Sequence, residues 1–540
     1  MDVPKVRAYA ETLSNVVVAD RNLFTCSQDT QEKIKEYIQK YDLNRVVVAS
    51  CTPRTHEPLF RETLRQAGLN KYTFEMANIR DQCSWVHMHQ PDEATEKAKE
   101  LVRMAVAKAR MIQPLADLSV PVNHNGLVIG GGIAGMVSAL DLAEQGFETD
   151  LVERGDRLGG QALKLYSTYK GDTVQPYVED LIGEVNRHPL INVHLNTTIK
   201  DAAGFVGSFS STLVDNEGKE TQLDHGAIII ATGGKPYKPK AYLYGEDPNV
   251  FLSVDLDQEL MKGNDRIKDA RCAVFIQCVG SRIPERPYCS KVCCTHSINS
   301  ALTLKKLNPD MNIYILYRDI RTFGEREALY MEARGRGILF IRYDLEDPPT
   351  VEKENETLKV TVADHVLQRP LELSPDIICL ATAILPHDNT PLSKLYKIST
   401  TQEGFFLEAH MKLRPVDFAT DGIFLAGLCH YPKAIEESIA QAKAASARAA
   451  SILMKEAIEI EPIVSFVDAD KCNGCGICER VCPYDAIHLV EVNGVIKAQN
   501  RPASCKGCGL CAASCPSKAV DMCHFSQHQI RAQVCALAVS

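Results

Sequence analysis

Three stretches of the chain share one hydrophobic rhythm: a short apolar run, a turn, a segment with helical spacing of apolar residues, and a second apolar run. The first covers 13–50, where "LSNVVVAD", "TQEKIKEYIQKY" and "NRVVVAS" predict strand, helix and strand. In the second, "GLVIGGGIAGMVSALDLAEQGFETDLVER", a strand meets a glycine turn and an alanine-rich helix, and a further strand closes on an acid. The third sets the strand "CAVFIQCVGS" before the helix "THSINSALTLKKL" and the strand "NIYILYR". A long helix, "DEATEKAKELVRMAVAKARMI", leaves the first stretch and leads through Pro114 and Pro121 into the second, which marks a boundary. This alternation of strands and helices predicts an α/β fold.

Length and composition narrow the class. At 540 residues the chain is too long for one core and suggests roughly three or four domains. A net charge of -9 with no basic stripe argues against nucleic acid as a partner. No apolar run approaches the roughly 18 residues of a membrane span, and the N-terminus has no apolar signal core, so a cytoplasmic protein with no direct membrane span is expected. Twenty cysteines without an export signal point to metal ligation or redox chemistry rather than disulfides.

The cysteines fall into groups. "CNGCGICERVCP" and "CKGCGLCAASCP" each have the spacing of bacterial two-cluster ferredoxins, in which three thiolates of a run bind one [4Fe-4S] cubane and the fourth crosses to the other. One cluster is then expected at Cys472, Cys475, Cys478 and Cys515, and the other at Cys505, Cys508, Cys511 and Cys482. Zinc is the weaker reading, because it usually takes two separated ligand pairs rather than two complete ferredoxin runs.

Gly130, Gly132 and Gly135 form G-x-G-x-x-G between strand and helix, and Glu153 stands about 20 residues on, where an acid meets the adenosine ribose. "RLGGQ" at 157–161, "AIIIATGGKP" at 227–236 and "DGIFLAGLCHYPKAIEESIAQAKAAS" from Asp421 resemble, in order, motifs of the two-dinucleotide flavoproteins such as thioredoxin and glutathione reductases, which favours FAD. Candidate FAD contacts are Gly130, Gly132, Ile133, Ala134, Gly135, Glu153 and Arg154, then Gly160 and Gln161, then Ala231, Thr232 and Gly233, and finally Gly427, Lys433 and Ile435. For Lys433 a solvated lysine at a helix start is the plainer reading. In those flavoproteins the last segment carries an acid after its glycine; here that position is Leu428.

Such a fold implies a second dinucleotide domain, and its strand and helix are present, but the turn between them reads "CVGSRIPERPYCSKVCC" rather than a glycine motif. Cys278, Cys289, Cys293 and Cys294 fall at the carboxyl end of a strand and the start of a helix, where open α/β sheets bind ligands, so a non-ferredoxin cubane is expected there. A redox-active dithiol or structural cysteines are the alternatives. Cys26, Cys51 and Cys83 lie in N-terminal loops and are candidate ligands of one further cluster, three thiols with a fourth ligand from His56, another polar group or a partner; burial of three cysteines is the alternative. Cys272, Cys379, Cys429, Cys523 and Cys535 stand apart from these groups.

Taken together, "VVVASCTPRTHEP", "ANIRDQCSWVH", "CVGSRIPERPYCSKVCC", "YRDIRTFGEREALYMEARGRGILFIR" and the ferredoxin pair resemble the A subunit of CoB–CoM heterodisulfide reductase and its relatives in sulfate reducers and other anaerobes, across nearly the whole chain. The resemblance implies FAD, several [4Fe-4S] clusters including those at Cys278 to Cys294 and at the N-terminal trio, and an electron-transfer subunit that converts two-electron flavin chemistry to one-electron steps, with bifurcation among the family's activities. Implied partners are the other subunits of a heterodisulfide-reductase-like, hydrogenase, formate-linked, NADH-linked or quinone-linked complex, and ferredoxin. The chain departs from the family in three places. It starts just after the family's cysteine-bearing "CxCG" segment, it lacks the ferredoxin insertion before "AIIIATGG", and Asn299 stands where relatives can carry a lysine near flavin N5. The alternative function is an NAD(P)H-dependent flavin and iron–sulfur oxidoreductase resembling the small subunit of glutamate synthase; an adaptor with structural zinc is a third.

The expected architecture is therefore an α/β, thioredoxin-reductase-like flavoprotein with two dinucleotide domains, an N-terminal α/β domain and a C-terminal two-cluster ferredoxin domain. The expected limits are 1–120 for the N-terminal domain, 121–255 with 375–457 for the FAD domain, 256–374 for the second dinucleotide-like domain and 458–540 for the ferredoxin domain.

Overall fold

The computed structural model describes residues 1–538, apart from the side chain of Arg54. The chain divides into two compact units, Val120–Ile458 and a unit in which Met1–Ser119 joins the segment from Glu459 onward.

Val120–Ile458 is built from one plan used twice. In the first half, strands Ile423–Leu425, Ala227–Ile230, Gly126–Ile129, Thr149–Val152 and Ile191–His194 lie side by side in that order, all parallel. In the second, Val250–Leu252, Ile377–Thr382, Cys272–Val279, Asn312–Tyr317 and Leu339–Arg342 form an equivalent parallel sheet. Their apolar runs, such as "AIII" and "IICLAT", are buried at every position, as expected of parallel strands covered on both faces. Each half also carries a separate three-stranded antiparallel sheet, Thr197–Phe205 to Glu220–His225 in the first and Thr350–Glu354 to Arg369–Leu373 in the second. An antiparallel pair, Gly234–Pro236 with Ile384–Pro386, ties the halves together. The second sheet thus takes Val250–Leu252 and Ile377–Thr382, segments that the sequence limits left with the FAD domain; strand pairing decides this, and no local pattern reports it.

In the other unit Val46–Ser50 pairs in parallel with Phe74–Asn78, and helices Gln28–Lys40, Pro53–Gln66 and Pro91–Ala109 pack around that ribbon. The expected strand at 13–20 does not form. The segment follows a helix, Val3–Glu11, and belongs to no sheet, with Val17 67% exposed, so its apolar run has neither a pairing edge nor a core to enter. The ferredoxin portion contains the pairs Ser465–Val467 with Val520–Met522 and Ile487–Val492 with Val495–Asn500, and two short helices, Ile477–Val481 and Leu510–Ser514. The terminal helix Gln527–Ala538 lies along Pro91–Ala109: Arg103 Nε donates to the Ala536 carbonyl at 2.7 Å, and Lys108 Nζ sits 4.0 Å from the centre of the Phe525 ring.

Candidate flavin and cluster sites

The glycine motif forms a floor for a dinucleotide. Gly130 ends its strand at φ 113°, a conformation that favours glycine, and a Cβ there would lie 2.4 Å from the Ala231 carbonyl oxygen. A Cβ on Gly135 would lie 1.7 Å from the Gly130 oxygen, so helix Ile133–Glu144 can approach the strand only without it. A Cβ on Gly132 would meet nothing within 4 Å. The open space therefore lies at the start of the helix, beside Ile133 and Ala134, where helix amides and dipole favour a phosphate. At the end of the next strand the Glu153 carboxylate accepts from the amides of Gly131, at 2.6 Å, and Gly155, at 2.7 Å, which fixes the acid beside the motif.

The other motifs close around this floor. Gly160, at φ 56°, brings its Cβ position to 3.0 Å from Gly132 Cα, and Gln161 follows into a cavity. Ala231 donates its amide to the Ile129 carbonyl at 2.8 Å, and Thr232 Oγ1 lies 3.4 Å from Asn389 Oδ1, leading into Gly233 at φ 75°. Arg154 stacks its guanidinium within 3.0 Å of His387, whose imidazole burial and the arginine charge push down to about 4. Gly427, at φ 79°, would place a Cβ 2.9 Å from Ala134 Cβ, so the last motif touches the first turn of the same helix.

The cavity, of about 180 Å³, lies between the two halves of this unit. Gln161, Leu428, Lys433 and Ile435 line it from the first half and Cys293, His296 and Asn299 from the second. The Gly427 peptide is held at both ends: its amide donates to Gln441 Oε1 at 3.0 Å and its carbonyl accepts from Lys433 Nζ at 2.6 Å. Gln441 is fixed in turn by His430 at 2.8 Å, and His430 by Glu408 at 2.9 Å. Burial pushes the Lys433 ammonium down to about 8. Gln441, His430 and Glu408 carry no motif of their own; only the fold brings them to Gly427. The cradle and adjoining cavity fit a flavin dinucleotide.

One wall of the cavity leads to the second group of cysteines. Cys278 stands at φ 60°, in a bulge of its strand between Ile276 and Val279, a strained conformation of the kind that collects at functional sites. Cys293 and Cys294 open helix Cys293–Leu307, and Cys289 lies in the loop before it. The four thiols feel one another: burial pushes Cys293 far up and Cys294 to about 11, and in both cases Cys278 and Cys289 add to the rise. Buried thiols so placed deprotonate at neutral pH only with a cation among them, the service a metal centre provides. Cationic and amide donors already face the sulfurs. The Arg321 guanidinium charge bears on Cys289, the Lys291 amide donates to Cys289 Sγ at 3.3 Å, and an Arg282 nitrogen lies 4.0 Å from Cys278 Sγ. Tyr431, packed edge-on against Tyr288 and tilted against Phe405, donates to the Cys289 carbonyl at 3.2 Å and lies over this side.

In the ferredoxin portion, Gly476 and Gly509 start the two short helices at φ 73° and 77°, giving each run the same turn. One small cavity is lined by Cys472, Cys475 and Cys478 together with Cys515 from the other run. In the second set, Cys505 and Cys482 both bear on the thiol of Cys511, which burial pushes up, and Cys508 is exposed at the turn. Amides reach the sulfurs in matching fashion, Ala486 to Cys482 and Ala519 to Cys515, each at 3.3 Å.

The N-terminal trio is different. Cys83 is fully buried in the cluster around Ala94 and Ala98, its thiol donates to the Ala94 carbonyl at 2.9 Å, and the charges bearing on it are Lys97 and the amino terminus. Cys26 is exposed and Cys51 half-buried after its strand. The third thiol is turned into an apolar core here, and neither Cys26 nor Cys51 is among the groups bearing on it. Among the described residues no three His, Cys, Asp or Glu side chains converge on a single-ion site.

Fold and sites define a two-dinucleotide-domain flavoprotein joined to a dicluster ferredoxin. Residues 124–275 match the family described as pyridine nucleotide-disulphide oxidoreductase, and 471–519 the 4Fe-4S dicluster domain. The chain is 39% identical to the second iron-sulfur A subunit of CoB–CoM heterodisulfide reductase in Methanopyrus kandleri, over 92% of this chain and 89% of that protein. It is 36% identical to a protein of Archaeoglobus profundus described as like the heterodisulfide reductase A subunit, over 100% and 96%. A third relative is the A subunit of the H(2):CoB-CoM heterodisulfide,ferredoxin reductase of Methanothermobacter marburgensis, at 36% identity over 99% and 94%. That last alignment runs over 628 positions, more than this chain's 540 residues, so the relative carries insertions. Among solved structures, T. acidophilum thioredoxin reductase aligns with 61% of this chain and 99% of its own, at 14% identity and TM-score 0.44. The chain belongs to the family of heterodisulfide reductase A subunits. It is an oxidoreductase component that transfers electrons through FAD and [4Fe-4S] clusters. Among the described residues no helix is long and apolar enough to cross a membrane.

Proposed function

We propose that the flavin ring occupies the cavity walled by Lys433 and Cys293, and that Cys278, Cys289, Cys293 and Cys294 hold a [4Fe-4S] cluster directly beside it. Bound FAD exchanges electron pairs and each cubane exchanges single electrons. The observation that carries this reading is Cys293, which lines the cavity while its buried thiol feels Cys294, Cys278 and Cys289. Gly130, Gly132, Ile133, Ala134 and Gly135 then hold the pyrophosphate, Glu153 and Arg154 the adenosine end, and Gly160, Gln161, Ala231, Thr232, Gly233, Gly427 and Ile435 the path to the ring. The ferredoxin portion holds two clusters, one on Cys472, Cys475, Cys478 and Cys515, the other on Cys505, Cys508, Cys511 and Cys482.

Arg282, Arg321 and the Lys291 amide stabilise the charge of the cluster near the flavin, and Tyr431 with its aromatic neighbours excludes water from it. The donor and acceptor lie on other polypeptides. The names of relatives carry H2, formate, heterodisulfide and ferredoxin, and we propose a complex of that kind, with a hydrogenase- or formate-linked donor. The test is a Cys278→Ala, Cys294→Ala double variant purified without oxygen. It should retain FAD and lose about four irons per chain, one cubane. Iron content equal to the unsubstituted protein contradicts the assignment.

A further inference from the structure

Lys433 is a cation in an unusual position. Three acids lie near it, and each is engaged elsewhere: Glu437 pairs with Lys291 at 2.7 Å, Glu436 with Arg326 at 2.6 Å and Glu408 with His430 at 2.9 Å. Among the described residues no carboxylate pairs with Lys433. Lys433 lines the cavity, and its ammonium donates instead to two neutral carbonyls, Gly427 at 2.6 Å and Tyr431 at 2.8 Å. Desolvating a cation against neutral acceptors is unfavourable unless an anion arrives. A charge fixed there beforehand suits negative charge that appears only during the reaction. The pyrophosphate already has its own donors at the start of helix Ile133–Glu144, where Gly132 leaves room.

We propose that Lys433 is the counter-cation for the negative charge that two-electron reduction places on the flavin ring, and that it thereby sets the flavin potential. The inference rests on the ring occupying this cavity. Two electrons, delivered by the physiological donor, and one proton enter the ring and leave one negative charge on it, and the ammonium faces that charge without transferring its own proton.

The pH dependence follows. With the cavity lacking an anion, burial holds the ammonium near 8, while the charges of Glu437 and Glu408 support it and Lys291 opposes it. Lys235, Tyr169, His296, Cys293, Arg326 and Glu436 complete the charged and titratable lining. A ring anion raises the lysine further. Below about pH 8 the lysine is protonated before and after reduction and adds no slope. Above it, reduction draws a second proton from solvent onto the lysine, and the potential falls more steeply by about 30 mV per pH unit for a two-electron couple, until pH passes the raised value.

The experiment is a potentiometric titration of the flavin in the whole protein between about pH 6.5 and 9.5, on unsubstituted protein, Lys433→Met and Lys433→Arg. Lys433→Met should keep its FAD and lose at least about tenfold in preference for the reduced flavin, roughly 30 mV, at neutral pH. It should also lose the break near pH 8. Lys433→Arg should restore the potential at neutral pH without the break, because a guanidinium does not titrate there. An unchanged potential in Lys433→Met overturns the proposal. So does loss of FAD with an unchanged potential in what remains, which assigns the lysine to the pyrophosphate. Leu428→Trp, which fills the cavity, separates the two levels. If it expels FAD while Lys433→Met changes nothing, only the role of the lysine fails; if it leaves FAD and its spectrum untouched, the ring is not in the cavity.

Discussion

Two glycines of one motif are required for opposite reasons. Gly135 has no room for a Cβ, which would sit 1.7 Å from the Gly130 oxygen, whereas the Cβ position of Gly132 is empty and its φ of -74° suits any residue. Gly135→Ala should therefore lower the melting temperature as well as FAD content, through a backbone clash in the core. Gly132→Ala should keep its melting temperature in the FAD-free form while FAD affinity falls about tenfold or more, because the methyl fills the place of the phosphate. Equal thermal losses in both variants would contradict the distinction.

A second residue-scale prediction concerns His225. It is 1% exposed, bonded to Ser211 at 2.9 Å, and burial pushes it down to about 4. Its folded value lies below that of the unfolded chain, so the unfolded state binds the extra proton and stability falls as pH drops from about 6.5 toward 4. The full effect is of order 3 kcal/mol. Urea unfolding at pH 5.5 and 7.5 should show less pH sensitivity for His225→Gln than for the unsubstituted protein; equal sensitivity would contradict it.

At the scale of elements, the packing of helix Pro91–Ala109 includes a buried ion pair, Lys108 with Glu75 at 2.8 Å, the lysine side chain 5% exposed. Lys108→Ala strands a buried carboxylate and should cost about 3–5 kcal/mol in chemical unfolding, and replacing Glu75 as well, with leucine, should recover much of the loss. Neither residue was visible as a pair in the sequence, since they sit on different elements and join only through the fold.

The same reason separates what was legible from what was not. The strand, glycine turn and helix at 126–144 could be read because period, glycine spacing and a distant acid agree. The run at 13–20 has strand composition but no partner strand, and sheet membership is a long-range property. Ferredoxin cysteines carry their geometry in their spacing. Cys83 does not, and its thiol turns into an apolar core rather than toward Cys26 or Cys51. Gln441, His430 and Glu408, which hold the Gly427 peptide, gave no signal at all, because their positions along the chain follow no motif.

At the scale of the whole molecule, two copies of one sheet plan have been put to different uses. The first half keeps the open glycine turn. In the second, the equivalent turn between strand Cys272–Val279 and helix Cys293–Leu307 carries the cysteines. With thiols in the phosphate position, NADH has no cradle there, so NADH should leave the flavin absorption of the purified protein unchanged while dithionite bleaches it; bleaching by NADH would restore the reading as a nicotinamide-dependent oxidoreductase. This exchange of a phosphate turn for a metal centre is the central claim, and iron and acid-labile sulfide per FAD in anaerobically purified protein test it most directly. Two ferredoxin clusters, one cluster beside the flavin and none on the N-terminal trio predict about 12 irons per FAD. About eight would contradict the account, leaving the ferredoxin clusters alone and the four thiols of Cys278, Cys289, Cys293 and Cys294 without a metal.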